Sequence, residues 1–134
     1  LVVLSACESG LNRVRRGDEL FGLLRALMVA GARAVLASLW RVDERSTLLL
    51  MYKFYQAVQT GADYVRALHL AQNYLKGLTR QTAVSALNAI GISLTAADLP
   101  GSHDDERIFA DPKYWAPFIL IGEPGINLAL AQSQ

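Results

Sequence analysis

The residue best suited to covalent chemistry is Cys7, the single cysteine of the chain. It follows the apolar run at residues 1–4 (LVVL), which is typical of a parallel strand buried on both faces. Ligands of open α/β sheets bind at the carboxyl ends of the strands, where Cys7 is expected to lie. Small neighbours would let a substrate carbonyl reach the sulfur, with the Cys7 N–H facing the developing oxyanion and Gly10 turning the chain away. The same position also fits a small buried hydrophobic residue.

A nucleophilic cysteine needs a base, and the two histidines of the chain are poorly placed to supply one. His69 falls inside a predicted helix and His103 in a predicted loop, so we expect them to be packing or surface residues. His103 remains an open alternative, because papain-like enzymes also have the cysteine before the histidine. Two histidines and one cysteine without close spacing predict no metal site, and no cofactor is expected.

The elements around Cys7 predict a βαβ unit. Apolar residues at helical spacing begin at Leu20, with Asp18 placed to cap the helix and Gly31 to end it. A second buried strand is predicted at residues 34–40. This order of strand, helix and strand favours a parallel pair with a right-handed crossover.

Further helices and one more strand complete the predicted domain. Asp43 can cap a further helix, a third helix is expected from Asp63 to Lys76, and Thr79 is expected to open a fourth. Residues 93–111 are loop-like, and a last strand covers residues 118–121. Because a buried strand opens the chain with no cap before it, we expect residues 1–125 to be a partial domain that lacks its first strands. Residues 126–134 are predicted to be a tail or linker.

Composition limits the classes of partner. The formal net charge is +1, from 13 basic and 12 acidic residues, which is unlike the basic footprint of nucleic-acid-binding proteins. Arg25, Arg33 and Arg41 interrupt the apolar runs, so no membrane span is predicted. A lone cysteine cannot form an internal disulfide, and we expect a cytoplasmic protein.

Four separated motifs together resemble the CHAT domain, a caspase-like family. They lie at residues 4–10 (LSACESG), 17–20 (GDEL), 37–43 (ASLWRVD) and 114–122 (YWAPFILIG). CHAT domains are similar to separase and caspases and often follow tetratricopeptide repeats. The segment at Cys7 departs from the caspase pattern Gln-Ala-Cys-x-Gly, which places the resemblance on the CHAT and separase side. The fold it implies is α/β, an open, mainly parallel caspase-like sheet flanked by helices.

The resemblance also implies roles for particular residues. Cys7 would be the nucleophile, and the histidine base would end the preceding strand, roughly 50 residues before the cysteine. In separase-like proteins an acidic residue after Leu-Trp-x-Val binds a substrate arginine at P1, which points to Asp43, with Glu44 beside it and Trp40 as a pocket wall. Asp43 could instead serve as a helix cap, and Trp40 as a core residue.

The function implied is a cysteine endopeptidase that acts on a protein substrate and cuts after arginine. Its expected partners are the upstream half of the same domain and tetratricopeptide repeats, and this chain alone is expected to be inactive. Two alternatives stay open at this point. One is a CHAT module that has lost catalysis and serves as an interaction or signalling scaffold, and the other is an unrelated α/β domain with a core cysteine.

Overall fold

The computed structural model describes residues 1–4 and 16–125. Three strands, five α-helices and one short 3₁₀ helix are found in these residues. In chain order they are β1 (Val2–Leu4), α1 (Arg16–Val29), β2 (Ala34–Ser38), α2 (Glu44–Gln59), α3 (Tyr64–Gly77), α4 (Arg80–Ala89), the 3₁₀ helix Ala96–Asp98, α5 (Pro112–Trp115) and β3 (Phe118–Gly122).

The three strands form one mixed sheet in the order β1-β2-β3. β1 pairs with β2 in parallel, with Leu4 opposite Ala37, as the βαβ pattern predicts. β2 pairs with β3 in the antiparallel sense, with Ser38 opposite Phe118. The ends of β1 and β2 and the beginning of β3 therefore meet at one edge of the sheet, here called the carboxyl edge.

The prediction of a mainly parallel sheet is confirmed in part, because the described strands contain one parallel and one antiparallel pair. The reason lies in the connection. Only two residues separate α5 from β3, and the Leu39 N–H donates to the Pro117 carbonyl at 3.0 Å. The chain thus enters β3 at the carboxyl edge and runs back along β2, whereas a parallel strand would need a crossover to the opposite edge.

Both faces of the sheet are covered, which explains why β2 reads as a continuous apolar run. All five residues of β2 are buried. Val35 and Ala37 pack with Leu24 of α1 on one face. Leu36 belongs to a larger core on the other face, together with Leu49, Leu50 and Phe54 of α2, Ala67, Ala71 and Leu75 of α3, and Phe118 of β3. β2 is thus anchored from both sides, and it holds the loop that follows it in place.

Asp43 caps α2 as predicted, and Asp63 and Thr79, where the next two helices are expected to start, are the caps of α3 and α4. The first helix begins earlier than predicted, at Arg16, so Asp18 lies inside α1 and is not its cap. Apolar periodicity marks the buried stripe of a helix, and a polar first turn carries no such signal. Residues 126–134, the predicted tail or linker, lie outside the described residues.

Candidate functional site at the carboxyl edge

The predicted site residues divide into two groups. Cys7 and Gly10 lie outside the residues that the structure describes. Trp40 and Asp43 belong to the loop between β2 and α2, and Glu44 is the first residue of α2. The loop leaves the sheet at the carboxyl edge, so all three described candidates follow the end of the strand that pairs with β1.

Asp43 is the N-cap of α2. Its Oδ1 accepts a hydrogen bond from the Ser46 N–H at 2.9 Å. Its backbone carbonyl accepts bonds from the Ser46 hydroxyl at 3.0 Å and the Thr47 hydroxyl at 2.8 Å. Ser46 is fully buried, whereas Asp43 is exposed. The carboxylate is therefore held by the first turn of the helix while it stays open to a ligand from solvent.

Trp40 is held by one hydrogen bond and is partly exposed to solvent. Its indole N–H donates to the Lys113 carbonyl of α5 at 3.1 Å, and 44% of the residue is exposed. It is therefore not a core residue, which was one of the two possibilities that the sequence left open. Its neighbour Leu39 is 45% exposed, with its backbone N–H bound to Pro117. The loop thus presents two adjacent apolar side chains beside the Asp43 cap.

Arg45 extends the site toward the 3₁₀ helix. Its guanidinium donates to the backbone carbonyl of Asp98, so the first turn of α2 is tied to the segment Ala96–Asp98. The Asp98 carboxylate accepts bonds from the Thr95 N–H at 2.8 Å and from the Thr95 hydroxyl at 2.7 Å. These donors, the backbone N–H first, hold the pKa of Asp98 below its usual value of 3.8, and the positive charge of Arg45 adds to the effect.

A pH-dependent stability difference is expected from this carboxylate. Because its pKa is lower in the folded chain, Asp98 stabilises the fold above pH 3.8, and that contribution is lost as the pH falls below 3.8 through the folded pKa. Asp98→Asn should therefore be less stable than the parent at pH 6, and the difference should shrink below pH 3.8. Urea unfolding of both proteins across this range measures it, with Asp105→Asn as the control for the loss of one exposed negative charge. A gap that stays constant with pH would contradict this assignment.

The two histidines lie where the sequence predicted. His69 is exposed on α3, and its Nε2 lies 2.8 Å from the Asn73 side-chain nitrogen. His103 is exposed in the loop after Pro100, where its carbonyl accepts the Glu106 N–H at 3.2 Å. Within residues 1–4 and 16–125, no group of three or more His, Cys, Asp or Glu side chains is arranged to hold a metal ion. No helix in the same part of the chain is long and apolar enough to cross a bilayer.

Sequence reasoning missed the residues that hold the loop from the α5 side. Lys113 and Pro117 bind the loop with their backbone carbonyls. Every residue type has such a carbonyl, so the sequence does not indicate which ones are used. The motif at residues 114–122 indicated that this segment was important but did not indicate what it contacts. Arg45 was missed because an arginine in the first turn of a helix is usually a solvated charge.

These features define an α/β domain with helices on both faces of the sheet, in which the described candidate residues follow the carboxyl end of β2. The chain belongs to the CHAT domain family, whose match covers residues 1–123. It is similar to tetratricopeptide repeat protein 28 of Mus musculus, with 28% identity over 91% of this chain, and to the Homo sapiens protein of the same name, with 26% identity over 91%. The chain spans about 4% of the length of these curated relatives. No solved structure matches it significantly.

Proposed function

We propose that this chain supplies the nucleophile of a cysteine endopeptidase related to caspases and separase, with Cys7 as the attacking residue. The observation that supports it best is the parallel pairing of β1 and β2, with Leu4 opposite Ala37. Cys7 follows Leu4 by three residues, and three peptide units span at most about 11 Å. The nucleophile and the loop that contains Trp40 and Asp43 therefore start from the same edge of the sheet.

The proposed reaction is acyl transfer through a thioester. The Cys7 thiolate attacks the scissile carbonyl, and the thiol proton passes to a histidine supplied by the sequence upstream of Leu1. Collapse of the tetrahedral intermediate breaks the C–N bond, and the histidine donates its proton to the leaving amine. Water then attacks the thioester, with the histidine as base, and releases the carboxylate product and the Cys7 thiol. A backbone N–H at Cys7, with Gly10 turning the chain away, would stabilise the oxyanion.

Asp43 is the proposed binder of a substrate arginine, with Glu44 as a second carboxylate and Trp40 as a wall. The carboxylate of Asp43 is exposed, and an ion pair in solvent contributes at most about 1 kcal/mol. The pair gains strength when the substrate backbone and the Trp40 indole exclude water from it. A bound protein substrate, which covers more of the loop than a free amino acid does, fits this requirement.

The expected partners follow from the same proposal. The proposed base comes from the upstream half of the domain, and the similarity to tetratricopeptide repeat proteins supports repeats in the same polypeptide. We further propose that the protein acts in the cytoplasm, where a single reactive thiol stays reduced.

A second candidate function is a protein-interaction module without cleavage. It is favoured by exposed apolar side chains on α2, where Leu48, Tyr52 and Tyr55 are between 39% and 47% exposed. Their spacing of four and three residues puts them on one side of the helix. Such a stripe is the kind of surface that partner proteins bind.

Comparison of the isolated chain with the complete protein separates the two functions. We expect the complete protein to cleave arginine-containing peptides, and the isolated chain to show no turnover, because a thiol without its base loses most of its activation. The measurement is the release of a fluorescent group from matched peptides with arginine or glutamine before the scissile bond. Robust turnover by the isolated chain would contradict the upstream base. A folded complete protein that cleaves no protein or peptide would favour the interaction module.

A further inference from the structure

The α5–β3 segment, residues 113–118, holds the loop of the proposed substrate site. The backbone carbonyl of Lys113 accepts a hydrogen bond from the Trp40 indole N–H at 3.1 Å, and the carbonyl of Pro117 accepts one from the Leu39 N–H at 3.0 Å. Pro117 is fully buried, so its carbonyl is fixed by the surrounding core. Two adjacent residues of the loop are thus bound by this segment, all of which except Lys113 belongs to the fourth sequence motif.

This segment is in turn held by α3 on its other side. The half-buried Gln72 donates its side-chain amide to the Trp115 carbonyl at 3.1 Å and to the Phe118 carbonyl at 3.3 Å. These two carbonyls lie on either side of Pro117, so one amide joins the end of α5 to the start of β3. Lys76, one turn further along α3, places its Nζ 3.8 Å from the centroid of the Trp115 ring. Gln72 therefore binds two carbonyls that lie one or two residues along the chain from the Lys113 and Pro117 carbonyls, which hold Trp40 and Leu39.

We propose that Gln72 is a positioning residue for Trp40, and that it sets substrate selectivity through the α5–β3 segment. This inference rests on the proposed function, since it assumes that Trp40 contacts the substrate. A half-exposed tryptophan that is free to change rotamer would have to be ordered each time a substrate binds. The bond to Lys113 removes that freedom in advance, while the rest of the indole stays available for a substrate cation.

The first test is a spectroscopic one on the chain itself. The chain has two tryptophans, and Trp40→Phe identifies the indole N–H signal of Trp40 in a ¹⁵N-labelled sample. Gln72→Met keeps the length and helix propensity of the side chain but removes the donor. We expect the Trp40 indole signal to shift and its exchange with water to accelerate by about threefold or more. Gln59→Met, an exposed glutamine on α2, is the matched control and should leave the signal unchanged.

The result that overturns the inference is a Trp40 signal that is the same in folded Gln72→Met and in the parent. If Gln72→Met does not fold, Gln72→Glu replaces it, since this change keeps the size and shape of the side chain but puts a carboxylate oxygen in place of the amide donor. An unchanged Trp40 signal in folded Gln72→Glu would then overturn the inference in the same way.

The second test measures selectivity in the complete protein. Gln72→Met should raise KM for the arginine peptide by about three- to tenfold while kcat stays nearly constant, since Trp40 contributes binding and no chemistry, and KM for the matched glutamine peptide should change far less. The rate at which iodoacetamide alkylates Cys7 should not change. A shifted Trp40 signal with unchanged KM would overturn the role in selectivity. A parent protein without peptidase activity would refute the proposed function instead, and the indole signal would still decide whether Gln72 positions Trp40.

Discussion

Cys7→Ala in the complete protein is expected to abolish peptide cleavage, with a fall in kcat of about four orders of magnitude or more. Alanine has no atom that can form the thioester, so the residual rate reflects substrate binding and the oxyanion site alone. The measurement is initial-rate cleavage of the arginine peptide at saturating concentration. Mass spectrometry after treatment with an electrophilic arginine peptide should also find the parent labelled at Cys7 and the variant unlabelled.

Cys7→Ser is the matched control for size, because it replaces the thiol by a weaker nucleophile in nearly the same volume. It should be almost as inactive as Cys7→Ala, since a hydroxyl with a base tuned for a thiol is poorly activated. Thermal unfolding of both variants should be close to that of the parent. Cleavage at more than a tenth of the parental rate in folded Cys7→Ala would show that Cys7 is a packing residue and that the nucleophile lies elsewhere.

Asp43→Asn in the complete protein is expected to lower cleavage after arginine by about 30- to several-thousandfold in kcat/KM. This corresponds to about 2–5 kcal/mol for a charge pair that becomes desolvated when the substrate binds. Asparagine caps a helix about as well as aspartate, so the bond from the Ser46 N–H and the fold should survive. Paired peptides with arginine or glutamine before the scissile bond measure the effect, and the glutamine peptide should be affected far less.

Asp43→Ala serves as the comparison that removes both roles. It should lose the arginine preference as Asp43→Asn does and in addition destabilise the chain by about 1 kcal/mol, measured by urea unfolding. Glu44→Gln tests the neighbouring carboxylate, which is not the capping group. Near-normal arginine preference in Asp43→Asn would leave Asp43 as a helix cap, and a loss in Glu44→Gln would then move the arginine site by one residue.

Local sequence determined the elements that carry the site. Asp43 caps α2 as predicted, and α3 and α4 start beside the predicted Asp63 and Thr79, because a side-chain oxygen at the N-cap accepts a hydrogen bond from the free N–H groups of the first turn. The apolar run of β2 predicted a strand buried on both faces, because burial of every residue leaves no alternation along the strand. The motifs also sufficed to predict the CHAT family, which the match over residues 1–123 confirms.

Tertiary structure decided the direction of β3 and the setting of Trp40. The apolar residues of β3 fit a parallel and an antiparallel strand equally well, because the pattern of apolar residues indicates which strand is buried and not the direction in which it runs. The bonds from Trp40 to Lys113 and from Gln72 to Trp115 and Phe118 join residues that are 43 to 73 positions apart. All of them end on backbone carbonyls, which every residue type possesses, so no residue pattern could have predicted them. The sequence thus predicted which residues could do chemistry, and the packing of α3 and α5 determined how the loop that contains Trp40 and Asp43 is held.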